Sequence, residues 1–215
     1  MSLAISRVRP AVTISDRALG RNLPQKLGTL LWAPMLVMAV MAFPAALALA
    51  IYRSSLVAQG AAPATVAALG QLVPAAMFLG FASVFAAISF AIARILGVLR
   101  TGGGAVQAAA GRKVHTLEMP ATGQLFIVLM AMAMMLLLFA VVAHVVLATQ
   151  LLANPASSTT SATARTWAEW LEGVRRFGAS TYLLSIALGL ASIFRVLGFQ
   201  AERLRQLPTE RVLGD

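Results

Sequence analysis

The chain has 215 residues, 60% of them hydrophobic, only 11% charged, with no cysteine and a formal net charge of +10. Soluble domains carry about 25% charged residues, so this composition excludes an ordinary soluble enzyme, and its hydrophobic content excludes a disordered chain. The missing cysteines exclude disulfides, thiol catalysis, thiolate zinc sites and iron–sulfur clusters.

An integral membrane protein remains, and the charges mark its spans. No Asp, Glu, Lys or Arg occurs in Leu27–Tyr52, Ser54–Ala93, Met119–Ala164 or Phe177–Phe194. Crossing a hydrocarbon core of about 30 Å takes roughly 20 apolar residues in a helix. Four transmembrane helices are therefore predicted, at about Leu30–Tyr52, Val66–Leu99, Gly123–Leu152 and Ser180–Gln200. The fold class expected is an all-α integral membrane protein. A basic N-terminal segment (1–29) precedes a four-helix domain (30–200), and a C-terminal tail (201–215) follows it. The first apolar run is longer than the 7–15 residues of a signal peptide, so it reads as a retained span.

The N-terminal segment carries Arg7, Arg9, Arg17, Arg21 and Lys26. The loop between helices two and three adds Arg94, Arg100, Arg112 and Lys113, and the last segment Arg195, Arg203, Arg205 and Arg211. The opposite face has Arg53, Arg165, Arg175 and Arg176, so thirteen cations stand against four. The positive-inside rule then places both termini in the cytoplasm. Arg94, Arg100, Arg112, Lys113 and Arg195 are expected to contact anionic lipid headgroups. No nucleic-acid partner is expected, because the motifs of such proteins are missing. Fifteen Arg against two Lys, with abundant Ala, suggests a GC-rich bacterial genome and hence a bacterial inner membrane.

Between helices two and three, Gly102, Gly103 and Gly104 read as the end of helix two, with Ala105–Ala110 as a short helical turn. Gly111 is followed by Arg112 rather than Lys-Ser/Thr, so no phosphate-binding loop is predicted. In the outer loop, Asn154–Pro155 closes helix three and Ser157–Thr163 reads as a linker. From about 164 to 177, Trp167, Trp170, Leu171, Val174 and Phe177 recur at helical spacing. Arg165, Glu169, Glu172 and Arg176 fill the other face, pairing at i,i+4. A separate amphipathic helix lying in the membrane interface is expected, anchored by Trp167, Trp170 and Phe177. Its sharper reading is a docking surface or a lid.

Leu79–Phe85 matches Leu188–Phe194, and Ile92–Gly97 matches Ile193–Gly198, at offsets of 109 and 101. A parallel repeat and chance similarity both remain open. Ala76 with Gly80, and Ser185 with Gly189, form small-xxx-small pairs that let helices approach closely in lipid.

Pro34, Pro44 and Pro74 can kink helices one and two. The charge-free windows contain no carboxylate, which disfavours a proton- or cation-coupled transporter, and no helix has the arginine ladder of a voltage sensor. Of two histidines, His144 lies in the outer half of helix three and His115 in the inner loop. Phe139–His144 is similar to the pigment-ligand stretch of bacterial light-harvesting polypeptides, which have one span rather than four. His144 is thus a candidate axial ligand, set against a histidine hydrogen-bonded to a neighbouring helix. The methionines scatter around their helices and read as packing.

No cofactor, metal site or catalytic residue is expected. The functional expectation is an accessory or assembly subunit of a larger membrane complex, with other membrane subunits or further copies as partners. The alternative is a passive channel or uncoupled small-solute carrier through a Pro-kinked cavity between helices one and two.

Overall fold

The computed structural model describes residues 11–13, 21–111 and 114–212, with side chains for 21–111 and 114–206. In chain order these are β1 (Ala11–Thr13), α1 (Leu23–Ala58), α2 (Pro63–Ala109), β2 (His115–Leu117), α3 (Ala121–Ala153) and α4 (Ser158–Val212). All four helices are long and apolar enough to cross a membrane. The strands form a short antiparallel ladder, with Val12 opposite Thr116.

The helix ends follow from local chemistry. Asn22 precedes α1: its N–H donates to Gln25 Oε1 (3.1 Å), the back-reaching half of a capping box, while its carbonyl accepts the first helical bond from Lys26 N–H (3.0 Å). Pro24 sits in the first turn, where a missing donor costs little. At the other end Gly60 adopts φ +66°. Gly60 N–H donates to Val57 and Ala61 N–H to Leu56, a Schellman stop that a left-handed glycine permits. Helices α1 and α2 run on through Pro34, Pro44 and Pro74.

Two boundaries differ from the sequence reading. Helix α2 does not stop at Gly102–Gly104; it continues to Ala109 and ends at Gly111, whose φ is +70°. Each mid-helix glycine costs about 1 kcal/mol, but contacts outside local propensity answer it. The Gln200 amide of α4 occupies the space where a Gly103 Cβ would stand, so the glycine run packs against α4. Gln107 and Thr101 bond back to helix carbonyls at 3.2 and 3.0 Å.

The second difference is larger. Residues 158–212 form one 55-residue helix, so no break separates an interfacial helix at 164–177 from a span at 180–200. Ser157 is no linker residue but the N-cap, accepting from Thr160 N–H at 3.1 Å. The 55 residues of α4 are far more than the roughly 20 that one crossing takes.

The chain divides into two compact units, and each helix contributes to both. The first unit takes the described residues of Met1–Leu31, Ser89–Ile127 and Ala187–Asp215; the second takes Trp32–Ile88 and Val128–Ile186. In the first, the backbones of α1 and α2 nearly touch. A Cβ on Gly28 would lie 2.6 Å from the Phe90 carbonyl oxygen and 2.9 Å from Arg94 N. One turn earlier, Gln25 packs where a Gly97 Cβ would be 3.1 Å away. In the second unit, Ala68, Ala140, Leu147, Ala148, Leu151, Ala164 and Leu171 form one buried cluster. Ala82, Ala133, Leu137 and Tyr182 form another, with Phe78, Phe85, Met130 and Met134 against it.

Candidate functional site

The second unit buries a polar cluster. On α4 the inward positions Ala164, Leu171, Arg175, Gly178, Tyr182 and Ser185 are all buried, and Ala168 completes a spacing that alternates four and three. That is the seam of a packed helix, and it carries Arg175 inward with Leu171 and Tyr182. Arg175 is 7% exposed. Its guanidinium stacks 4.5 Å from the centroid of the Phe78 ring on α2 and pairs with Glu172 one turn back. Arg176, largely exposed, holds the other Glu172 oxygen at 2.7 Å. The expected Glu172–Arg176 pair is present; among the described residues no ion pair joins Arg165 to Glu169.

Near this cluster His144 is 2% exposed, with Nδ1 2.7 Å from Gln71 Oε1 on α2. A carbonyl oxygen only accepts, so Nδ1–H is the donor. Nε2 is buried with no hydrogen-bond partner among the described residues. Among these residues no group of His, Asp or Glu could hold a metal ion. Below the arginine an aromatic chain links Phe43, Phe81, Phe85 and Tyr182 at centroid distances of 5.2, 6.4 and 5.4 Å.

The predicted site residues fall in separate places. Gly80 abuts Phe43: a Cβ there would stand 2.9 Å from the ring, so this ring fills the space between α1 and α2 beside Pro44. Ala76 is half-buried, and Ser185 is fully buried with Oγ donating to the Tyr182 carbonyl at 2.9 Å. A Cβ at Gly189 would meet Phe126 at 3.0 Å and Ile92 at 3.1 Å. Trp167, Trp170 and Phe177 are exposed, on a different flank of α4 from Leu171. Trp170 meets Trp167 and Phe139 edge-on at 5.6 and 6.1 Å. Arg94 and Arg195 are exposed and Arg100 half-buried; Arg112 and Lys113 lie outside the described residues.

No protein family, curated protein or solved structure matches the chain.

The first unit holds a cavity of about 280 Å³. Pro24 and Gln25 of α1, Ala93, Leu96 and Arg100 of α2, and Thr116–Pro120 line it. Phe126 and Ile127 of α3 and Ser192, Val196, Phe199 and Gln200 of α4 complete the wall. A glutamine clamp holds one side: Gln107, 1% exposed, donates Nε2–H to the His115 carbonyl (3.1 Å) and accepts His115 N–H (2.9 Å). Its amide completes β2 as a neighbouring strand would. Ser192, a wall residue, donates Oγ–H to Thr122 Oγ1 at 3.0 Å.

Sequence reasoning missed Gly28, Gly97, Gln71, Gln107 and the inward turn of Arg175. The signal for Arg175 was available in the spacing 171, 175, 178, 182. None existed for Gln107, whose partner is a backbone.

Proposed function

We propose that the chain is a non-catalytic, four-span membrane protein that acts as an accessory or assembly subunit of a larger membrane complex. Both termini lie in the cytoplasm, and the membrane is a bacterial plasma membrane. The cation asymmetry of thirteen to four supports this threading.

The observation that carries the functional reading is the use made of the buried polar side chains. Ser83, Ser185 and Ser192 bond to helix carbonyls one turn away. Gln107 clamps β2, Gln71 joins His144, and Glu172 is shared by two arginines. Gln71–His144 ties α2 to α3 and Ser192–Thr122 ties α4 to α3, the cross-helix polar contacts a scaffold uses, while the serine back-bonds and the Glu172 pairs stay within one helix. Meanwhile α1 presents Val37, Val40, Met41, Leu47 and Ile51, each above 60% exposed. In a membrane such a face meets lipid or another helix. The basic inner segments hold the register through anionic headgroups.

Photo-crosslinking tests this reading. Benzoylphenylalanine placed at Met41, Met135 or Phe194, all strongly exposed, is irradiated in native membranes. At least one position is expected to give a discrete adduct with a different polypeptide. Adducts only with lipid, or only with further copies of this chain, contradict the proposal.

A further inference from the structure

The cavity of the first unit combines an apolar body with one cation, Arg100, among its described lining residues. Leu96, Phe126, Val196 and Phe199 supply hydrocarbon and aromatic surface from three helices. Arg100 lines the same space, and its Nε is buried with no hydrogen-bond partner among the described residues. A guanidinium donor removed from water and left unanswered is costly, and a ligand acceptor would remove that cost. The carboxylate among the lining residues, Glu118, is exposed. Water and salt screen it, so it opposes a buried anion only weakly.

Size restricts the occupant further. Allowing about 30 Å³ for each water-sized group, 280 Å³ holds on the order of nine such groups. That volume suits a compact head and one short hydrocarbon chain seated within the walls. Ligand sites of this kind are largely apolar with a few placed polar groups.

We propose that this cavity binds a single-chain amphiphile of medium length with an anionic head, the head paired with Arg100 and the chain against Phe126, Val196 and Phe199. The inference goes beyond the subunit reading and does not depend on it. A scaffold with or without partners can hold such a molecule.

The test uses the full chain in phosphatidylcholine nanodiscs, with a diazirine-bearing decanoate as probe and peptide mapping of the photolabel. Label is expected on residues 117–127 and 192–200. Excess decanoate or decyl phosphate is expected to compete it away, and decyltrimethylammonium to leave it in place. A charge-assisted hydrogen bond is worth enough that Arg100→Gln is expected to weaken labelling on the order of tenfold. Arg94→Gln, on an exposed position, leaves it unchanged, and Glu118→Gln does not reduce it. Val196→Trp, which fills the cavity while retaining Arg100, also abolishes labelling. The competition pattern in the unaltered protein needs no variant to fold. Equal competition by the cation, competition by phosphatidylglycerol but not decanoate, or label spread over the exposed face of α1 overturns the proposal.

Discussion

Gly28→Ala is expected to destabilise the protein, although alanine is the better helix former. The added methyl would meet the Phe90 carbonyl oxygen at 2.6 Å and Arg94 N at 2.9 Å. Both are backbone atoms of α2, so no rotamer change relieves them; the helices must part. Overpacking by a methyl or more costs about 1–3 kcal/mol, against an intrinsic helix gain of about 1 kcal/mol. Because both contacts are backbone, the cost falls toward the upper end of that range, so the net loss expected is up to about 2 kcal/mol, and Gly28→Leu loses more. Gly173→Ala provides the opposite case, since nothing lies within 4 Å of its Cβ position. There only the propensity term acts, and stability rises by up to about 1 kcal/mol. Unfolding in mixed detergent micelles, followed by circular dichroism, reads both. Equal shifts for the two variants would mean that α1 and α2 do not approach at Gly28.

Arg175→Ala is expected to cost about 2–3 kcal/mol, through lost stacking and a buried hole. A desolvated cation over an aromatic ring contributes up to about 2 kcal/mol, and the long stem fills space beside Phe78. Breaking a buried ion pair costs about 3–5 kcal/mol where the partner charge is left alone. That full cost does not apply, because Glu172 is 40% exposed at its side chain and keeps Arg176 at 2.7 Å. Arg175→Met retains the stem and removes a buried charge whose Nε has no partner among the described residues. Such replacements are often neutral, so the methionine variant is expected within about 1 kcal/mol of the parent. Arg175→Lys loses the planar stack and falls between. A double-mutant cycle with Phe78→Leu is expected to give a coupling of about 1–2 kcal/mol. Independent effects at 175 and 78 would show that the stack carries no energy.

These residues also show what the sequence makes legible and what it does not. The four helices followed from where charges are absent, because a charge in hydrocarbon is expensive and its absence over about 20 residues is improbable otherwise. Gly80 and Gly189 stood out because close helix approach in lipid demands small residues at regular spacing. Helix ends were harder. The Gly102–Gly104 run has poor local propensity, yet α2 continues to Ala109, with Gln200, 97 positions away in the chain, packed against Gly103. Between 177 and 180 a boundary was placed because charges stop there. Charge marks the edge of the hydrocarbon and not the end of a helix, so α4 runs through it. Likewise, counting Arg175 among outer cations says nothing of the face it occupies. Its buried side emerges from the three-and-four spacing that it shares with Leu171, Gly178 and Tyr182. The cavity was illegible because its walls come from residues 22 to 200.

The central claim, that this chain serves a larger membrane assembly, is tested most directly by mild extraction from native membranes. Native gel separation and mass spectrometry of the band then report its composition. The account predicts a band in which this chain stands in fixed stoichiometry with other polypeptides. A band containing this chain alone would contradict it.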